Sequence, residues 1–248
     1  MDASRVYKWG RAAGRLLFAP RCLLCGERGL AGRDVCAACA DALPWNRSAC
    51  GRCAIPLPSP GTCGECLQRP PALTETHALF VYGFPLDRLV PRFKFHNDLA
   101  AGRLLAEWMA EGFAALPAPG ALVPVPLHPT RLRQRGYDQA LELAKPLART
   151  LQIPLVANAL VRVRATAPQS ELDAEARQRN LHRAFACAEG VQLPGHVVLV
   201  DDVINTGTSA VAAIRLLERA GANVVGLAVA LTEGHAWRDA LAELVGLG

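Results

Sequence analysis

No apolar run in this 248-residue chain approaches the ~18 residues that mark a membrane span. A secretory leader is not expected either. Arg5, Lys8, Arg11 and Arg15 surround one short apolar run, Leu16-Leu17-Phe18-Ala19, which is too short for a signal-peptide core. A cytoplasmic protein is expected. Aromatic residues make up only 6%, which argues against a long platform for stacking bases. Neither sign of charge dominates: 27 Lys and Arg against 22 Asp and Glu leave +5, too mild to single out nucleic acid as a partner. Low-complexity tracts are absent, and no Ser-His-Asp or Cys-His arrangement suggests a covalent nucleophile. What remains is a globular chain, 51% apolar, with room for one sizeable core or two modest domains.

Cysteine is plentiful by contrast. Eight of the nine fall between residues 22 and 66 as four C-x-x-C pairs: Cys22/Cys25, Cys36/Cys39, Cys50/Cys53 and Cys63/Cys66. The gaps between pairs are ten, ten and nine residues. Thiols of a cytoplasmic protein stay reduced, so this pattern reads as metal rather than disulfide. A C-x-x-C turn offers two thiolates to one tetrahedral ion, and two such turns complete a four-cysteine zinc site. Two structural zinc ions would use all eight thiols. Adjacency assigns the first two pairs to one ion and the last two to the other; a cross-braced arrangement would use the same ligands. Gly26, Gly51 and Gly64 each follow a cysteine, as knuckle turns favour. Residues 1–70 hold ten Arg or Lys and five Asp or Glu, hence +5; two Zn(Cys)4 centres at −2 each bring the segment to about +1. Cys187, in an Ala-Phe-Ala-Cys-Ala run, reads as a small buried apolar residue.

The densest chemistry lies at Val197 to Ser209, V-V-L-V-D-D-V-I-N-T-G-T-S. The apolar run is that of a buried parallel strand. Ligands of open α/β sheets bind just outside the carboxyl ends of such strands. Asp201 and Asp202 stand there as acceptors for two vicinal ribose hydroxyls. Asn205, Thr206, Gly207, Thr208 and Ser209 follow, offering hydroxyls and backbone N–H groups to an anion where a helix begins. The stretch resembles the binding signature for phosphoribosyl pyrophosphate (PRPP) of type I phosphoribosyltransferases.

Elsewhere, Ala78–Tyr82, Ala121–Val125 and Val224–Leu231 read as strands. Leu99–Leu116, Asp138–Leu151 and Ser209–Ala220 read as helices, the last closed by Gly221. Pro146 should kink the second of these or start a new segment. The alternation implies an α/β fold with a parallel sheet. Gln68-Arg69-Pro70-Pro71 is the expected boundary between a module at 1–70 and a domain at 71–248. Three further blocks carry charge. Val123-Pro124-Val125-Pro126-Leu127-His128 runs on through Arg131, Arg133 and Arg135; arginines spaced by two share no helix face, so this block reads as a phosphate-contacting loop. Arg162, Arg164, Thr166, Gln169, Arg177 and Asn180 lie on a polar stretch that is either a hood over substrate or an exposed hairpin. Lys94, between Phe93 and Phe95, reads as a surface lysine with its stem laid over apolar neighbours, a phosphate contact being the sharper alternative.

In order, the cysteine pairs, K-F, P-V-P-L-H, R-G-Y-x-Q, R-x-x-x-T-x-x-Q, R-x-x-N and V-D-D-V-x-x-T-G-T resemble the ComF family of competence-associated, phosphoribosyltransferase-like proteins over roughly residues 20–232. That resemblance implies a type I phosphoribosyltransferase-like sheet with helices on both faces and an N-terminal double zinc ribbon. It further implies PRPP or ribose 5-phosphate as ligand, Mg²⁺ accompanying PRPP, and a link to DNA uptake with single-stranded DNA and the uptake machinery as partners. By position, Asp201 and Asp202 would hold the ribose hydroxyls, and Asn205 to Ser209 the 5′-phosphate. Pro124 to Leu127, including Val125 and Pro126, would form the pyrophosphate loop. Arg164, Gln169 and Arg177 would act from the flexible segment. Asp138 departs from the family's usual Asn, and an added carboxylate there would weaken anion binding or help hold Mg²⁺. Two functions stand side by side: a transferase using PRPP, and a non-enzymatic protein that senses PRPP or binds single-stranded DNA.

Overall fold

Strand propensity and burial agree at the centre of the molecule. The computed structural model describes residues 20–70, 75–163, 184–204 and 208–231. Within it β1 (Glu75–Val81), β2 (Ala121–Pro124), β5 (His196–Ile204) and β6 (Asn223–Leu231) form one parallel sheet, in the order β1-β6-β5-β2. Every residue of β6 after Asn223 is buried, the pattern of a strand covered on both faces. Side chains alternate across β5: Val197 and Leu199 enter one half of the core, Val198 and Val200 the other. The first half is closed by α7 (Thr208–Arg219) and by an antiparallel pair, β3 (Leu160–Arg162) with β4 (Phe185–Cys187). The second is closed by α3 (Leu86–Phe95), α4 (Leu99–Phe113) and α6 (Gln139–Leu151). Helices therefore cover both faces, as expected. Gly221, at φ +88°, follows the end of α7. Among the described residues no helix is long and apolar enough to cross a membrane.

The cysteine segment is one substructure built twice. Gly26 N–H donates to the Cys22 carbonyl and Ala54 N–H to that of Cys50, each at 2.8 Å. Both turns need a left-handed residue after the second cysteine, Gly26 at φ +82° and Ala54 at φ +58°. Gly51 and Gly64 are not in that region; Gly64 instead opens a helix. Cys36 and Cys63 cap the short helices α1 (Ala37–Asp41) and α2 (Gly64–Gln68), their sulfurs accepting from the N–H groups of Cys39 and Cys66. The chain between the two copies runs along the free edge of β1. Asn46 N–H donates to Leu79, Val81 to Pro44 and Thr76 to Gly51. Trp45 stacks 4.6 Å from Phe80. An edge strand that would otherwise template aggregation is thus covered.

One expectation fails here. The arginine block is not a loop: Pro129–Arg135 is a helix, α5. Local caps decide this, not a shared face. His128 accepts from Thr130 N–H, Pro129 sits in the first turn, and Gly136 closes the end at φ +82°. Of the two outcomes expected at Pro146, a new segment does not occur, since α6 runs through it. The proline removes one hydrogen bond, at roughly 3 kcal/mol. The buried stripe of Ala140, Leu143, Ala144, Leu147 and Ala148 offsets that loss by packing on the sheet and on α4.

Candidate functional site

All four parallel strands point their carboxyl ends at one edge, and the predicted site lies there. Asp201 and Asp202 are half-buried on the last turns of β5. Each carboxylate binds backbone locally: Asp201 Oδ1 accepts from Asp202 N–H at 2.8 Å, and Asp202 Oδ1 from Val203 N–H at 2.6 Å. Burial pushes the Asp201 carboxyl well above the usual carboxylate range, and the Asp202 charge adds to the shift while Lys94 opposes it. On the adjoining strand, Val125 N–H donates to the Val200 carbonyl at 2.9 Å, which carries the ladder one residue past β2. Val125 is buried and Pro126 half-buried beside the acidic pair's strand.

Asp138 has a role the sequence did not suggest. Its Oδ2 accepts from Leu127 N–H at 2.6 Å and its Oδ1 from Leu141 N–H at 3.1 Å. One carboxylate thus caps α6 and clamps the Val125-Pro126-Leu127 turn. An Asn would offer only one acceptor atom for the two N–H groups. Burial raises the Asp138 pKa, against the two backbone donors.

Cations ring these carboxylates. Lys94 Nζ lies 3.0 Å from Asp202 Oδ1, so Lys94 belongs to the site and is not a surface lysine. Helical spacing could have shown this. Leu86, Leu89, Val90 and Phe93 form the buried stripe of α3, and Lys94 falls four positions after Val90, at the stripe's edge. Arg135 lies over the Phe95 ring, 4.9 Å from its centroid, and donates to Gln139 Oε1 at 2.9 Å. Arg162 is buried against Phe185 at 5.2 Å. Burial lowers the pKa of both arginines, and Asp202 counters it at Arg135, Asp201 at Arg162. The predicted site residues Arg164, Thr166, Gln169, Arg177, Asn180, Asn205, Thr206 and Gly207 lie outside the described residues. Thr208 and Ser209 lie in the first turn of α7.

The eight cysteines assemble as adjacency required: Cys22, Cys25, Cys36 and Cys39 in one group, Cys50, Cys53, Cys63 and Cys66 in the other. Within each group all sulfurs lie inside 4.8 Å. The separations of 3.7 Å between Cys25 and Cys36 and 3.8 Å between Cys53 and Cys63 match the edge of a tetrahedron with Zn–S of about 2.3 Å. In Cys22 and Cys50 burial opposes ionisation, but backbone N–H groups outweigh it and bring the thiols down to about 6 and about 7. Burial pushes Cys53 up to about 12. A dication resolves that conflict by favouring all four thiolates together. Cys187 stands outside both groups, its sulfur 3.8 Å from the Leu216 carbonyl.

Comparison with known proteins agrees with both halves of the chain. Residues 13–67 match the double zinc ribbon domain, and residues 138–245 the phosphoribosyl transferase domain. DNA utilization protein YhgH of Salmonella typhi is 38% identical over 212 residues, covering 82% of this chain and 93% of that protein. Competence protein F of Haemophilus influenzae is 35% identical over 214 residues, covering 81% and 92%. Among solved structures, adenine phosphoribosyl transferase from Trypanosoma brucei aligns at 12% identity and a TM-score of 0.41, over 64% of this chain and 83% of that one.

Proposed function

Since the chain belongs to the family of DNA utilization protein YhgH and competence protein F, we propose that it binds PRPP at the carboxyl edge of its sheet and serves the handling of DNA taken up by the cell. One observation carries the ligand reading. An acidic pair, a clamped stretch after the neighbouring strand and the start of a helix meet at one edge, with Lys94 paired to Asp202. Asp201 and Asp202 take the ribose hydroxyls, Asn205 to Ser209 the 5′-phosphate, and Val125 with Pro126 the diphosphate. Arg164, Gln169 and Arg177 act from the segment that joins β3 to β4 in the chain. The compartment is the cytoplasm, where PRPP is made and thiolates stay reduced.

Asp201 and Asp202 also fit Mg²⁺. Among the described residues only the cysteine groups bring three or more metal-binding side chains together, so carboxylates here would complete a magnesium shell only with ligand oxygens, as is usual for this ion. Bound so, Mg²⁺ would offset charge on the diphosphate. In transfer, the C1′–O bond breaks and its electron pair leaves with the diphosphate. A lone pair of the acceptor forms the new bond at C1′, and the acceptor's proton passes to solvent. The chain's own part is to position the reactants and to balance the charge that develops.

Calorimetry with PRPP and Mg²⁺ tests the reading. Binding is expected, and Thr206→Ala, which removes a hydroxyl, should weaken it by about 1 kcal/mol or more. No heat and no thermal shift at millimolar PRPP would leave the edge a relic of the fold.

A second reading, a single-strand binding protein, has its own support. Phe84 and Phe95, 67% and 62% exposed, stand at the two ends of α3 on the ligand edge. Arg88 and Arg135 lie over their rings at 5.0 and 4.9 Å. Exposed rings and guanidinium groups are what bases and phosphates bind. Replacing Arg131, Arg133 and Arg135 with Ala should lower the slope of log K against log salt by about 2, from three phosphate contacts on a single strand. An unchanged slope would place the DNA surface elsewhere.

A further inference from the structure

We propose that Lys94 is a ligand-contacting residue of this site, reserved for the diphosphate of PRPP and held on Asp202 until that group arrives. The inference rests on the PRPP reading above. Lys94 comes from α3, well before the segment that matches the phosphoribosyl transferase domain.

Position is the first ground. Helix α3 starts beyond the end of β1 and crosses the ligand edge of the sheet. Its ten residues span about 15 Å, close to the three strand spacings of about 4.8 Å that separate β1 from β2. The residues flanking Lys94 both touch the segment after β2. The Phe93 ring lies 5.5 Å from Tyr137, whose hydroxyl donates to the Phe93 carbonyl, and Phe95 lies under Arg135. The Lys94 ammonium thereby meets the acidic pair from a helix whose flanking residues touch Arg135 and Tyr137, which follow the stretch assigned to the diphosphate in the chain.

Charge is the second ground. Lys94 is largely shielded from solvent, and Asp202 Oδ1 is the carboxylate it reaches. When ribose hydroxyls occupy the carboxylates, an anion on the β2 side becomes the stronger partner for a mobile ammonium, which pairs with phosphate as a point charge. Arg135 differs from Lys94 in that its guanidinium lies over Phe95 and bonds Gln139 Oε1 rather than a carboxylate of the pair. Lys94 differs from a structural counter-ion in one respect: it should distinguish ligands that carry a diphosphate from ligands that do not.

Calorimetry on the zinc-loaded full chain makes that distinction, using PRPP, inorganic pyrophosphate with Mg²⁺, and ribose 5-phosphate. Lys94→Met should weaken PRPP and pyrophosphate about tenfold or more, the scale of a hydrogen bond between charged groups, while ribose 5-phosphate binds as tightly as before. Lys94→Arg, which keeps the charge, should restore most of the loss. Its thermal midpoint and zinc content check the fold. Equal losses for all three ligands, or none, would reduce Lys94 to a counter-ion of Asp202 and overturn the inference while leaving PRPP binding intact. Wild-type protein that binds none of the three would remove the PRPP reading itself, and this inference with it.

Discussion

Cys53→Ser should leave the protein with one zinc instead of two and with a sheet that no longer holds its edge. Metal analysis of wild-type protein should give two zinc ions per chain, and Cys187→Ser should leave that number unchanged. The effect of losing the second ion is large because the ribbon has little else to fold around. Apparent zinc-binding energies in small peptides are about 10–16 kcal/mol, most of it folding energy. All four cysteines of this second ribbon are buried, and they share a core cluster with Ala78 of β1. The first ribbon is more open, with Cys25 exposed. A chelator should therefore remove the two ions in two phases, the Cys22 site first. A single phase, or near-zero zinc in reduced folded protein, would count against two independent structural sites.

The second large effect joins stability to function. Burial and the neighbouring Asp202 charge push the Asp201 carboxyl from 3.8 up to about 8. Between those limits the folded protein holds a proton that the unfolded chain has lost. Stability without ligand therefore falls as pH rises through that window. Asp201→Asn removes the dependence, so the variant should gain on wild type between pH 5 and pH 8 in thermal melts. Each kcal/mol moves the midpoint of a chain this size by about 2–4 °C, and a rise of at least that order is expected at pH 8. The same variant should bind PRPP about tenfold to a hundredfold more weakly, having lost a charged acceptor. A more stable protein that has lost its ligand would mark Asp201 as a residue retained for binding. Parallel pH profiles for variant and wild type would show that the carboxyl is not the strained group.

Features with a local cause were legible in the sequence. The cysteine groups follow from C-x-x-C spacing alone, and β5 with its acidic pair follows from an apolar run broken by charge. Helix α5 was missed because alternating arginines drew attention to faces, when a His-Pro start and a left-handed Gly136 had already fixed both ends. Lys94 was misread because its partner lies more than a hundred residues away on another element. Asp138 reads from sequence as weakening anion binding or helping to hold Mg²⁺, and only the fold reveals the two N–H groups that it binds. The edge of β1 was equally hidden, since backbone pairing between the inter-ribbon chain and a strand leaves no mark on side-chain pattern.

Arg92 gives the first cysteine knuckle a hold on the helix that carries Lys94. Its guanidinium bonds Asp98, at the start of α4, and also the carbonyl of Leu23, inside the first zinc knuckle. Two residues further along the same helix sits Lys94. The knuckle is ordered by its metal, and one arginine fastens to it the helix that reaches the acidic pair. Linkage works in both directions: by whatever factor zinc in that knuckle alters affinity for an anion at the sheet edge, the anion must alter affinity for the zinc. On the PRPP reading proposed above, zinc in the first knuckle and occupancy of the sheet edge would become two variables of one equilibrium.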